Sequence, residues 1–294
     1  MSVFGGCFVL ENSLPSFDEK YDRLRKFILS KGEKGAVVAF SGGVDSSTLV
    51  AVCRRLLGDT VVAVTAVSPL YPPEEVEEAV RVAREIGVKH ILIESNELSD
   101  ENFVRNPEDR CYYCKKNLLR TLKKVAGELG FGVVFEGTSF SDLRGHRPGW
   151  RAVVEEGVYS PWVEARFMKE DIRKLARMIG LFVHDKPSMA CLASRIPFNE
   201  RITVERVVRI GRAEATVKRT AGVKQVRVRD HNGLARIEVD ESEMEKLLDT
   251  KLLRRIAEEL KRLGFKYVTL DLEGYREGSM LLMLKNSSQK AEGC

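Results

Sequence analysis

Glutamine occurs only at positions 225 and 289 of 294 residues, and histidine only at 90, 146, 184 and 231, with no spacing that suits a shared metal ion. No apolar run reaches the roughly 20 residues needed to cross a bilayer. Met1 to Leu10 also lacks the basic start and cleavage pattern of a secretory signal. The chain is therefore expected in the cytoplasm and away from membranes. The shortage of glutamine beside 48 Lys and Arg and 43 Asp and Glu fits a protein built for high temperature. A net charge of +5, mixed along the chain, suits acidic small molecules and is weak ground for nucleic acid. Internal repeats and low-complexity linkers are missing too. Six cysteines are present, and in a reducing compartment they serve more readily as metal ligands or reactive thiols than as disulfides.

A composition of 44% hydrophobic and 31% charged residues reads as soluble and globular, and the length accommodates two domains. Apolar residues recur at helical spacing over Phe17–Leu29. Four β-rich runs follow, Ala36–Phe40, Thr60–Ala66, His90–Ile93 and Val133–Phe135. They alternate with helical segments near Ser46–Leu57, Glu74–Ile86 and Cys114–Leu129. This pattern predicts an α/β fold with a doubly wound parallel sheet. Ligands are expected beyond the carboxyl ends of its strands, at the Ser41, Ser68–Pro73 and Gly137–Gly149 loops. Pro72-Pro73-Glu74-Glu75 is a helix start. After Asp185-Lys186-Pro187 the pattern becomes a helix over Val204–Thr220, strands Lys224–Arg229 and Ala235–Val239 joined by His231-Asn232-Gly233, a helix over Glu241–Leu263 and a strand over Tyr267–Leu272. The expected division is a first domain over 1–187 and a smaller α+β domain over 188–294, with a frayed tail from Asn286.

Chemistry concentrates first in Phe40-Ser41-Gly42-Gly43-Val44-Asp45-Ser46-Ser47, where an apolar strand empties into glycines and hydroxyls and starts a helix. Free backbone N–H groups and the positive end of a helix dipole meet there, which makes a phosphate cradle. Ser41, Gly42 and Gly43 bring backbone close to phosphate oxygens, Ser46 and Ser47 add hydroxyls, and Asp45 suits magnesium or a helix cap. No lysine follows the second glycine, so this is not a Walker A loop, and the third glycine of a dinucleotide fold is missing. Cys111 and Cys114 form C-x-x-C at a helix start, where dipole and Lys115-Lys116 favour thiolates. The pair reads as a zinc half-site, a redox couple or two buried cysteines. Cys191 is a third candidate at the presumed domain junction, Cys53 belongs to the core, and Cys7 and Cys294 lie in the termini. Three thiolates from two segments leave one corner of a cubane iron–sulfur cluster without a protein ligand.

The phosphate loop resembles the SGGxDS signature of the PP-loop ATP pyrophosphatases. Further strings resemble one branch of them: Glu136-Gly137-Thr138-Ser139, Asp142-Leu143, Arg147-Pro148-Gly149, Ser160-Pro161, Lys169 to Arg173, Asp185-Lys186-Pro187, Cys191 to Arg195, Arg227-Val228-Arg229 and Ala235 to Glu238. That branch is the ATP-dependent sacrificial sulfur transferase family, LarE, and the likeness runs from about residue 15 to about residue 275. The resemblance implies use of ATP and Mg2+ to adenylate a carboxylate of pyridinium-3,5-biscarboxylic acid mononucleotide, whose oxygen is then exchanged for sulfur in making the nickel-pincer nucleotide. By the same resemblance Gly137 and Thr138 join the ATP site, and Asp45 and Cys191 are catalytic. Cys111, Cys114 and Cys191 would hold a 4Fe–4S cluster fed by a sulfide donor. Ser194, Arg195, Arg227 and Arg229 would clamp the substrate's phosphate or second carboxylate, unless the arginines form a solvated strand face. Asp142, Glu214 and Glu238 are either metal contacts or structural ion-pair partners. Ser139 stands where the family often has Asn, and Phe198-Asn199 where it often has Tyr-Gly. A homo-oligomer is expected, with no membrane or nucleic-acid partner. The alternatives are the single-turnover branch that sacrifices the sulfur of Cys191, a cluster-dependent tRNA thiolase, and a nucleotide-binding redox sensor.

Overall fold

The computed structural model describes residues 15–145, 147–276 and 278–281. Helix α1 (Phe17–Lys31) starts at a capping box in which Ser16 and Glu19 satisfy each other's backbone N–H groups, and it buries Leu24 and Ile28. Strands β1 (Ala36–Ala39), β2 (Val61–Val67), β3 (Lys89–Glu94) and β4 (Val133–Phe135) form one sheet in the order β3-β2-β1-β4, every pair parallel, as expected. Successive side chains of a strand point to opposite faces, so the central strand is apolar throughout. Ala36 and Val38 pack with α1, α2 (Val44–Leu57), α3 (Pro73–Ile86) and α8 (Lys169–Met178). Val37 packs on the other face with α5 (Arg110–Glu128) and α6 (Pro148–Glu155). Two short helices, α4 (Glu101–Val104) and α7 (Pro161–Glu164), lie in the connections.

The second sheet is mixed. Strands β5 (Val226–His231) and β6 (Leu234–Val239) pair antiparallel through Asn232 and Gly233, both at positive φ (50° and 94°), the backbone a two-residue hairpin requires. Strand β7 (Tyr267–Leu270) joins β6 in parallel. Val226, Val228, Ala235 and Ile237 face α9 (Val204–Ala221) and α10 (Thr250–Arg262) across a separate core.

Four expected boundaries move. The single helix over Glu241–Leu263 is a 3-10 turn, Glu241–Leu247, followed by α10. Asp249 interrupts it because its carboxylate caps the new helix, accepting from the Leu252 N–H at 2.7 Å. The last strand stops at Leu270, after which Asp271 turns to Arg236. Helix α2 begins at Val44 and α5 at Arg110, so both cysteines of the C-x-x-C lie inside the helix rather than before it. Cys53 is fully buried as expected, whereas Cys7, Cys294 and the tail from Asn286 lie outside the described residues. Among the described residues no helix is long and apolar enough to cross a membrane.

Candidate functional site

β1 ends at Ala39, and the chain turns through Ser41–Gly43 into α2. Gly42 sits at φ +71°, and a Cβ there would come within 2.9 Å of the Ala79 Cα, so only glycine fits both the dihedral and the contact. Gly43 caps α2 without a side chain, which leaves the first-turn N–H groups of a 14-residue helix facing outward. The Ser46 hydroxyl donates to the Gly43 carbonyl at 3.2 Å and accepts from the Ser41 N–H at 3.2 Å. It therefore shapes the loop from within. Ser47 is buried completely and its hydroxyl has no partner among the described residues. Of the hydroxyls assigned to phosphate, Ser41 is the exposed one.

Gly137 follows β4 and lies against α2, where a Cβ would stand 3.3 Å from the backbone of Ser46. Its neighbour Thr138 is held by Glu136, to which the sequence pattern assigns no role of its own. The Glu136 carboxylate is buried, yet Lys115, Ser160 and Thr138 together hold it below the usual range against that burial. It accepts from Thr138 N–H at 3.1 Å and from Lys115 Nζ at 2.8 Å. Lys115 belongs to the C-x-x-C helix, so this ion pair couples the cysteine segment to the nucleotide loop. Trp162, also missed, donates to the Asp45 carbonyl at 3.1 Å from a fully buried position. The strings around Glu136 and Trp162 are visible in the sequence, but only their partners show what each side chain holds.

Asp45 and Asp142 are brought together. Burial pushes the Asp45 carboxyl up to about 6, with Lys169 opposing and Asp142 adding to the rise. Among the described residues no hydrogen bond reaches its carboxylate. Asp142 is held low in spite of burial by Arg147, Ser139 and Lys169, the last at 3.0 Å. Ser139 thus serves as the cap of the turn that fixes Asp142. Glu214 and Glu238, the other two candidate metal contacts, lie elsewhere and are occupied by arginines. No three His, Cys, Asp or Glu side chains among the described residues converge tightly enough to hold a single ion.

The three cysteines are brought near one another. Leu192 N–H donates to the Leu70 carbonyl at 2.9 Å, which ties the Cys191 turn to the segment after β2. Cys114 and Cys191 pack against a core that includes Leu70, Phe103 and Leu192, and Cys111 is exposed. The expected thiolates are corrected here. Burial and then the neighbouring Cys191 push the Cys111 and Cys114 thiols up, and Glu97 adds to the rise at Cys114. Lys115 lowers the Cys114 thiol without overcoming the burial, and it and Lys116 are paired with Glu136 and Glu155. Glu97 is a further residue without a sequence signal, 3% exposed and 4.0 Å from the Cys114 sulfur through one oxygen, its other oxygen without a partner among the described residues.

Arg195, Arg227 and Arg229 are buried, which removes the solvated-face alternative for the strand arginines. Arg195 pairs with Glu214 at 2.9 Å and donates to the carbonyls of Ala190 and Cys191 and to the Ser194 hydroxyl. Arg229 pairs with Glu238 at 2.7 Å and donates to the Ser194 carbonyl. Arg227 donates to the carbonyls of Val226 and Ser188 and lies over the Tyr275 ring at 5.2 Å, and burial and then Arg195 depress its basicity. The Cys191 turn therefore rests on a buried cationic basket with one guanidinium lacking a carboxylate among the described residues.

A model of the NAD synthase family matches residues 17–118. An uncharacterized protein of Synechocystis is 42% identical over 90% of this chain and 97% of its own length. The pyridinium-3,5-bisthiocarboxylic acid mononucleotide synthase of Lactiplantibacillus plantarum is 37% identical over 83% of this chain and 87% of its own. An NH3-dependent NAD+ synthetase of Pyrococcus horikoshii is 27% identical over 58% of this chain and 68% of its own.

Proposed function

From the premise that this chain belongs to the family of the pyridinium-3,5-bisthiocarboxylic acid mononucleotide synthase, the LarE branch of the PP-loop proteins, we propose that it is a sulfurtransferase that forms AMP and pyrophosphate. Its substrate is pyridinium-3,5-biscarboxylic acid mononucleotide, and its product serves nickel-pincer nucleotide synthesis. A carboxylate resists sulfur because oxide is a poor leaving group. Attack of the carboxylate on the α-phosphorus of ATP releases pyrophosphate and gives an acyl adenylate. Hydrosulfide then adds at the acyl carbon, and the C–O bond to AMP breaks, with the proton of the thioacid passing to solvent. The relative's name implies that both carboxylates are treated in turn.

The Ser41–Gly43 loop and the open start of α2 would hold the phosphates, with Gly137 and Thr138 completing the nucleotide side. Asp45 and Asp142 are the residues that would hold Mg2+, since two neighbouring carboxylates, one of them without hydrogen bonds, suit a divalent cation. Arg227 would take the substrate's phosphate or its second carboxylate, with Arg195, Arg229 and Ser194 fixing the turn beneath it. Cys111, Cys114 and Cys191 would hold a 4Fe–4S cluster. Three cysteines from two segments would leave the fourth corner of a cubane without a protein ligand. When bound, the cluster supplies an iron without a protein ligand that carries the transferable sulfide. Burial and neighbouring Cys191 push the Cys111 and Cys114 thiols up, and cationic iron would displace their protons on binding. The observation that carries this reading is the Lys115–Glu136 pair at 2.8 Å, which links the cysteine helix to the nucleotide loop. The sulfur site and the adenylation site then work as one. We further propose a homo-oligomer in the cytoplasm, with no nucleic-acid partner.

The test is anaerobic purification with iron and sulfide analysis, followed by ATP, Mg2+, sulfide and the biscarboxylate mononucleotide, with mass spectrometry of product and protein. Repeated thiocarboxylate formation with AMP, an iron–sulfur chromophore and no mass change at Cys191 is expected. A protein without iron that becomes lighter by one H2S after one turnover supports the sacrificial route instead, and absence of product in either form overturns the reading.

A further inference from the structure

Arg110 is the first residue of α5 and has no part in the nucleotide loop, the Asp45–Asp142 pair or the arginine basket. It is 7% exposed. The other buried arginines, Arg195, Arg227 and Arg229, all donate hydrogen bonds, whereas Arg110 donates none among the described residues, and its Nε and Nη1 are shut off from water without an acceptor. Asp109, the adjacent acid, is paired with Arg151 at 3.3 Å instead. What Arg110 meets is the Phe198 ring, with its Cζ 4.6 Å from the ring centroid. The ring steadies the charge without accepting its protons as a carboxylate would. Phe198 is fixed in turn, because the buried Asn106 amide donates to the carbonyls of Ile196, Pro197 and Glu200 on either side of it, at 3.3, 2.6 and 3.0 Å. A buried cation held in place without a counterion is costly, and an anion would relieve it. The start of α5 points the same way. The helix runs for 19 residues and Asp109 gives it no side-chain cap. The Arg110 and Tyr112 N–H groups donate to the carbonyls of Pro107 and Asp109, while the Cys111 N–H has no acceptor among the described residues. A free N–H and the positive end of a long helix dipole therefore lie next to an unpaired guanidinium.

Resting on the sulfur-transfer reading above for the identity of the ligand, we propose that Arg110 and the start of α5 form a binding site for a small sulfur monoanion, hydrosulfide, beside the exposed Cys111. A guanidinium is weakly hydrated and suits a soft, weakly hydrated anion. Burial of Nε and Nη1 against Phe198 favours a compact ion over phosphate. The site would gather the sulfur donor at the cysteine segment ahead of its use.

Arg110→Met removes the charge and keeps an apolar stem. The full chain, freed of iron so that no cluster contributes, is melted anaerobically with reductant present, at neutral pH and constant ionic strength, in sodium hydrosulfide, chloride, phosphate or nicotinate. Hydrosulfide alone is expected to raise the wild-type melting temperature saturably. The variant without ligand should melt at or above wild type, because an unpaired buried charge is gone, and its hydrosulfide affinity should fall at least about tenfold. Equal responses of wild type and variant overturn the proposal, as does a ligand-free variant that melts well below wild type. A response to nicotinate or phosphate in place of hydrosulfide also overturns it, since Arg110 then receives the organic substrate. Hydroselenide, the heavier analogue, soaked into wild-type crystals and located by its anomalous scattering, decides the matter without any variant. Selenium within hydrogen-bond distance of the Arg110 guanidinium or the Cys111 N–H is expected, and selenium only elsewhere overturns the site. Thiocarboxylate formation at saturating sulfide tests the sulfur-transfer reading separately, so that reading can stand when this site fails.

Discussion

Replacing Asp45 by Asn is expected to stabilise the ligand-free protein at neutral pH. The folded carboxyl titrates near 6 against 3.8 for an unperturbed aspartate, because burial outweighs the help from Lys169, Arg173 and Arg147. About two units at 1.36 kcal/mol each make ionised Asp45 cost about 3 kcal/mol of folding free energy. Between pH 4 and pH 6 the unfolded chain has released this proton and the folded chain has kept it. The unfolded state then binds fewer protons, and stability falls as pH rises through that window. The cost is absent below pH 4 and complete above pH 6. Asn mimics the neutral acid, so the variant should match wild type at pH 4 and exceed it by about 3 kcal/mol at pH 7.5. With a urea slope near 3 kcal/mol/M, the midpoint should move up by about 1 M. Trp162, which donates to the Asp45 carbonyl, is the local fluorescent reporter. Mg2+ with ATP should stabilise wild type and leave the variant unmoved, and AMP formation by wild type should decline below about pH 6. Equal or lower stability of Asp45→Asn at pH 7.5 would refute the reasoning, because it would mean that the carboxylate is not held at a cost.

Gly42→Ala forces a Cβ into a left-handed position 2.9 Å from the Ala79 backbone. A loss of about 1–3 kcal/mol and of AMP formation is expected, read by thermal melting and nucleotide chromatography. Glu214→Gln leaves Arg195 charged and fully buried, so unfolding should become easier by about 3–5 kcal/mol, and a change below about 1 kcal/mol would show that the pair is replaceable. Cys114→Ala should lose the iron signal after anaerobic reconstitution while pyrophosphate release with the pyridinium substrate continues. Full iron content in that variant would exclude the three-thiolate centre.

Local chemistry made the nucleotide half legible. Valine-rich runs between helical segments can satisfy their backbone only as a parallel sheet covered on both faces, and a Ser-Gly-Gly-Val-Asp-Ser turn between strand and helix has few uses besides anion binding. The C-x-x-C was equally visible, since its spacing is local. Boundary errors arose where a single side chain overrode periodicity, as Asp249 does by capping a new helix inside an apolar repeat. Residues that act by long-range partnership stayed hidden. Trp162 and Glu97 have no motif and Glu136 has no role marked by its own; they take their roles from contacts far along the chain, such as Trp162 to Asp45, Glu97 to Cys114 or Glu136 to Lys115. Burial likewise decided the charges. From sequence alone the lysines beside Cys111 and Cys114 point to thiolates, whereas burial and the neighbouring Cys191 push both thiols up, more than Lys115 offsets at Cys114. Residue type and spacing determined which groups are present; only packing determined which of them come near one another, because protonation and ion pairing depend on distance and water rather than on order along the chain.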